Sequence, residues 1–192
     1  MDASVLRNAG NFKRFIMGFA SARRLGSGGF AVVFAHPFDK TKVVKIADTD
    51  TGYDKYAKWC IKNQGVLGVP NIYSHLRIRC KGDFADTFFT ITILERLRVC
   101  SKEDYHKLAI QQFGTDLYKA IEYVCGEDGR KLRAYSYYKP HYDRVRALPN
   151  TSKIILKFLR RNRVRLDLFV SNTMVRGRRA KRQLIITDPL AE

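Results

Sequence analysis

A glycine-rich turn between two strand-like runs constrains this chain more than any other feature: Leu25-Gly26-Ser27-Gly28-Gly29-Phe30-Ala31-Val32-Val33-Phe34. The β-branched and aromatic residues beyond the turn favour extended backbone, so the segment asks for a hairpin and for a sheet to hold it. A further apolar run, Val43-Val44-Lys45, sets one lysine within the next strand. Glycines at 26, 28 and 29 leave backbone N–H groups uncovered by any Cβ, and such a turn is able to close over phosphate oxygens. A lysine on the adjoining strand has the reach to pair with the same oxygens.

Periodicity fills in the surroundings. Strands are expected at 23–27, 30–36 and 42–47, a helix over 53–64 with Tyr56, Trp59 and Cys60 on one face, and strands at 72–80 and 86–94. Gly65, Gly68 and Pro70 end the helix, and Glu95-Arg96-Leu97 reads as a hinge. The pattern then turns helical. Ser101-Lys102-Glu103-Asp104 resembles a capping box opening a helix to about 113, and Thr115 or Asp116 starts another to about 124. Residues 126–149 are polar, aromatic and basic, with no clear period. Asn150 is expected to cap a helix whose Ile154, Ile155, Phe158 and Leu159 share a face, and 173–175 and 183–187 read as two strands joined by a basic turn. A small antiparallel β lobe over about 1–96, followed by a short helical lobe over about 97–192, makes a single α+β domain.

The late segments carry the remaining chemistry. In Asp167-Leu168-Phe169-Val170-Ser171-Asn172, Asp167 is placed to accept a hydroxyl proton and Asn172 to bind a metal ion; Asp188, after the strand Leu184-Ile185-Ile186, is a second metal ligand. Gly26, Ser27, Gly28, Gly29 and Lys45 would hold phosphates, Val33 would cover the adenine, and Glu95 and Leu97 are further candidate cofactor-binding residues. Each element alone also reads plainly as a glycine hairpin, a strand lysine, an Asx turn and a strand-ending aspartate. Their order along one chain is what a chance glycine motif does not explain.

That order resembles a protein kinase. More narrowly, the chain is similar to the kinase domain of the early serine/threonine kinase of T-seven-type lytic bacteriophages. The likeness rests on Leu25-Gly26 with Phe30, the strand before Ala35-His36-Pro37, and Gln64-Gly65 followed by Gly68-Val69-Pro70-Asn71-Ile72-Tyr73. It rests also on Asp167…Asn172 and Ile186-Thr187-Asp188-Pro189, with residues 101–150 matching poorly. The resemblance implies a two-lobe kinase-like fold with Mg-ATP held between the lobes. It implies transfer of the γ-phosphoryl to serine or threonine of host bacterial proteins early in infection, in the host cytoplasm. Departures are visible. Ala31 stands in place of a third glycine, no glutamate on the 53–64 helix faces Lys45, and Asp54 is the nearest acid. Arg165-Leu166-Asp167 lacks an arginine beside the aspartate, and Phe169 stands where many kinases carry a phosphate-contacting lysine. The sequence ends four residues after Asp188, which leaves no activation segment in it.

Charge separates two readings. The net charge is +18, and residues 130–182 hold 17 Lys/Arg against Asp143 and Asp167, a net of +15. Such a field calls for acidic partners, either protein surfaces or nucleic acid, with Tyr135, Tyr137, Tyr138 and Tyr142 interleaved among the bases. Arg178, Arg179, Lys181 and Arg182, in the late turn, are the candidate partner-binding residues. The rival to catalysis is a kinase fold of weak or no activity that blocks a host polymerase, nuclease or defence complex by binding through this basic lobe. The four cysteines (Cys60, Cys80, Cys100, Cys125) show no metal-ligand spacing and read as reduced, mostly buried thiols. No apolar run reaches the ~18 residues of a membrane span.

Overall fold

The structure is a computed structural model that describes residues 22–80, 87–124, 139–162, 166–178 and 181–190. The chain divides into two compact units. Among the described residues, one comprises 22–62 together with Asn71–Arg96, and the other comprises Asn63–Pro70 together with those from Leu97 to Leu190.

The first unit is an antiparallel sheet and one helix. Its strands are β1 (Arg24–Ser27), β2 (Ala31–Ala35), β3 (Lys42–Asp48), β4 (Ile72–Cys80) and β5 (Thr87–Glu95), in the order β1-β2-β3-β5-β4. The register separates two faces, because residues directly opposite each other point to the same side. One face is apolar: Val32 lies opposite Ile46, Phe34 opposite Val44, Val44 opposite Ile93 and Ile46 opposite Ile91. Phe34, Val44, Ile46, Ile78 and Cys80 form its buried cluster. The other face carries a mixed row across four strands, Val33, Lys45, Thr92 and His75. Helix α1 (Thr51–Lys62) packs on β4 and buries Tyr53, Tyr56, Ala57 and Cys60. The Asp50 carboxylate accepts from the Tyr53 N–H at 2.7 Å and so satisfies one of the orphan donors of the helix start.

The second unit is mainly helical. Helix α2 (Lys102–Phe113) opens on Ser101, whose hydroxyl accepts from the Asp104 N–H, as the capping pattern predicts, and closes on Gly114. Asp116 caps α3 (Leu117–Tyr123) by accepting from Lys119 N–H. Helix α4 (Lys139–Ala147) occupies part of the stretch that shows no clear period, and α5 (Asn150–Arg161) follows it. The expected cap at Asn150 is corrected: Asn150 is the first helical residue, Pro149 holds the cap position, and no side chain caps the end. The apolar residues buried on α5 are Ile155, Leu156, Phe158 and Leu159, with Ile154 half-buried beside them.

A small sheet completes this unit, β6 (Arg98–Val99), β7 (Thr173–Arg176) and β8 (Gln183–Ile186), in that order. The buried Gln112 side chain of α2 finishes β8 as a further strand would: Nε2 donates to Leu184 O and Oε1 accepts from Leu184 N, each at 3.0 Å. Gly177 turns β7 into the hairpin with φ +82°, and a Cβ there would lie 2.3 Å from Lys181 O, so only glycine fits. Gly68, with φ +85°, accepts from Ile186 N–H at 2.9 Å and ties residues 63–70 to β8.

Candidate functional site

In the first unit the glycine turn joins β1 to β2 and is closed by Gly28 N–H donating to Ala31 O at 2.8 Å. A Cβ built on Gly26, Gly28 or Gly29 would meet nothing within 4 Å, and Ser27 is exposed beside them. Glycine here therefore supplies room above the backbone and is not demanded by a crowded turn, which fits a cradle for phosphate oxygens. Val33 lies directly opposite Lys45 and is half-buried.

Lys45 is 7% exposed, and its Nζ stands 3.4 Å from the centroid of the Tyr53 ring. Asp54, the acid nearest in sequence to a helix glutamate, is committed elsewhere. It accepts from Lys58 Nζ at 2.7 Å and Arg77 at 3.1 Å, and lies 2.8 Å from His75 Nε2. Burial works against its charge, but the hydrogen bonds from Lys58 and His75 outweigh that and hold the carboxyl below its ordinary range. Glu95 ends β5 with its carboxylate on Asn71, accepting from the backbone N–H at 2.8 Å and from the side-chain amide at 3.4 Å. It thus fixes the entry to β4. Leu97 is half-buried in the short link to β6.

In the second unit Asp167, Asn172 and Asp188 are drawn together by backbone bonds. Asp167 N–H donates to Pro189 O at 2.8 Å, and Leu166 bridges Leu190. Asn172 O accepts from Thr187 N–H and Thr187 Oγ1, each at 2.9 Å, and from Asp188 N–H at 3.4 Å. The Asn172 amide Nδ2 donates to Asp167 O at 3.1 Å, so its side-chain oxygen is the atom left for a cation. Asp167 Oδ1 is buried and has no hydrogen-bond partner among the described residues. A buried carboxylate oxygen in that condition is costly unless a donor or a cation arrives. Loop anchorage comes from Leu168, 2% exposed, whose carbonyl accepts from Tyr105 OH, while Phe169 is 70% exposed. Oxygen donors from one amide and one carboxylate suit Mg2+, which keeps few protein ligands and fills its octahedron with water and phosphate. Among the described residues no cluster of three or more His, Cys, Asp or Glu is arranged to hold a metal by itself.

Sequence reasoning missed the fasteners of this loop: Thr187, the Pro189 carbonyl and Tyr105. Thr187 and Pro189 flank Asp188 in the motif already singled out, but the sequence does not say that their bonds fall on Asn172 and Asp167.

The basic turn is divided. Arg178 and Lys181 are exposed. Arg182, by contrast, is bonded to Asp104 at the start of α2, and Arg179 lies outside the described residues. Arg176 donates to Val69 O at 2.8 Å, and Arg98 to Gly177 O at 2.6 Å. Part of the positive charge is thus structural. No helix among the described residues is long and apolar enough to cross a membrane.

A family model, bacteriophage T7 protein kinase 0.7, matches residues 13–191, and the chain belongs to that family. No curated protein matches the chain.

Proposed function

With membership of that kinase family as the premise, we propose that the chain transfers the γ-phosphoryl of ATP to serine or threonine hydroxyls of host bacterial proteins early in phage infection, in the host cytoplasm. The observation that carries the reading is the fastening of Asp167, Asn172 and Asp188 into one loop cluster in which Asp167 Oδ1 has no hydrogen-bond partner among the described residues. Asp167 accepts the hydroxyl proton as the oxygen bonds to phosphorus, and ADP leaves with the electrons of the broken bond. Gly26, Ser27, Gly28 and Gly29 offer backbone N–H groups to the phosphates and Lys45 adds a fixed charge, while Val33, Glu95 and Leu97 border the base. Asn172 and Asp188 would hold Mg2+, which supplies charge neutralisation of the phosphates when bound. Because the residues do positioning and electrostatic work, their loss should lower turnover without unfolding the chain.

A second reading is favoured by a specific pair of observations: Phe169 is exposed in the catalytic loop, and Asp54 is engaged by His75, Lys58 and Arg77. In that reading the chain is a weak or inactive kinase that inhibits a host polymerase, nuclease or defence complex by binding through its basic half. Transfer of labelled phosphate from ATP to a host protein extract separates them. Transfer by the wild type that is lost in Asp167→Ala supports catalysis. A wild type that transfers none, yet still arrests host growth, overturns it in favour of binding.

A further inference from the structure

A lysine that must meet phosphates needs its long side chain held extended, and a helix carboxylate is one way to hold it. Here another device occupies the place. Strand β3 ends at Asp48, and α1 begins at Thr51 after a connection in which Thr49 adopts φ +48° and Asp50 caps the Tyr53 N–H. That turn returns the first helical turn onto the strand just left. It brings the Tyr53 ring beneath Lys45, Nζ 3.4 Å from the ring centroid. Tyr53 is 1% exposed, so the contact is shielded from water and stronger than a surface one. Behind the ring stands His75, edge-on with centroids 6.3 Å apart and planes at 75°. His75 is itself clamped on both nitrogens, Nδ1 to Thr92 Oγ1 and Nε2 to Asp54 Oδ1, each at 2.8 Å. Thr92 lies between Lys45 and His75 in the same cross-strand row.

We propose that Tyr53, backed by the His75–Asp54 pair, is the positioning residue that presents Lys45 to nucleotide phosphate, in the place a helix glutamate would take. The inference rests on the nucleotide role proposed for Lys45. Its chemistry has a consequence of its own. A ring face attracts the ammonium through its quadrupole and, unlike a carboxylate, accepts no proton from it. Asp54 then acts at two removes, by fixing His75, and its negative charge is balanced by Lys58 and Arg77.

Two measurements test this. Mg-ADP affinity by calorimetry should fall about tenfold in Tyr53→Leu and stay within about twofold in Tyr53→Phe, which keeps the ring. The second measurement needs no change at Tyr53: with 13C-methylated lysines, the Lys45 signal, identified by its loss in Lys45→Arg, should lie upfield of the other lysines because of the ring beneath it. A Lys45 signal at the ordinary lysine position in the wild type overturns the proposal, even if Tyr53→Leu does not fold. So does a folded Tyr53→Leu that binds Mg-ADP as tightly as Tyr53→Phe. A wild type that binds no Mg-ADP overturns the nucleotide reading and the phosphate role with it, whereas the NMR signal still judges the support of Lys45 by Tyr53.

Discussion

Asp167 shows how much a single residue's setting adds to its identity. The sequence supplies an aspartate five positions before an asparagine. The structure adds that its N–H is tied to Pro189 O and that its Oδ1 is buried without a partner among the described residues. Asp167→Asn keeps the shape and removes the carboxylate proposed as the base, so turnover should fall about 10²-fold or more with nucleotide affinity little changed. Steady-state kinetics beside calorimetry checks this, and equal turnover would remove Asp167 from the role of base. Asp54 makes a different prediction. Its carboxyl is held below its ordinary value of 3.8, so the ionised form is the one stabilised by folding. The contribution is therefore present at neutral pH and lost as the pH falls below about 4. Asp54→Asn should unfold at lower denaturant than wild type at pH 7, with the difference shrinking on acidification. A difference that stays constant from pH 7 to acid would show that packing, and not charge, is at stake. The candidate residues themselves were legible because chemistry is carried by side-chain type. Tyr53 was not, since an aromatic in a helix reads as core until a lysine is found above it.

Among the elements, those with a strong local signal were read nearly to the residue and those without one were not. Ser101 capping α2 and Asp116 capping α3 follow from short-range hydrogen bonding that the sequence spells out. Among its described side chains helix α4 buries Tyr142 and Val145 alone, amid many charges, too thin a stripe to show a period. Asn150 is not the cap because Pro149 takes that position, its fixed φ suiting the start of a helix. The β6-β7-β8 sheet depends on contacts distant in sequence, Gln112 with Leu184 above all, and no local pattern announces those. Gln112→Leu fills the same volume but strands the Leu184 N–H and C=O, so it should cost about 2 kcal/mol or more. Gly177→Ala forces a side chain into a left-handed backbone and against Lys181 O, for about 1–3 kcal/mol or a rearranged hairpin. Denaturant melts read both. Unchanged midpoints would mean that the small sheet is not built as described.

Over the whole molecule the dominant quantity is charge. An ATP site needs little of the +18, and residues 130–182 alone carry a net +15. The surplus is not all available: Arg182 is spent on Asp104, Arg176 on Val69 O and Arg98 on Gly177 O. Arg178 and Lys181 at the hairpin are exposed, as are Arg144, Arg146, Lys157 and Arg161 on α4 and α5. Exposed charges of one sign act at a distance and recruit a partner of the other sign more than they orient it. If the partner is a protein substrate, serine peptides flanked by acids should show a lower KM than neutral ones at ~50 mM salt, with the advantage mostly gone at ~200 mM as screening shortens the field's range. Arg178→Glu with Lys181→Glu should raise KM for the acidic peptide and leave kcat alone, since neither residue belongs to the loop of Asp167. Arg182 is left in place because reversing it would set a like charge against Asp104 and confound recruitment with folding. A KM indifferent to salt and to the reversal would detach the basic surface from substrate capture. If the same protein then held single-stranded nucleic acid in a salt-dependent way, the charge would belong to a nucleic-acid contact, because releasing counterions from phosphates gives that dependence whatever the base sequence.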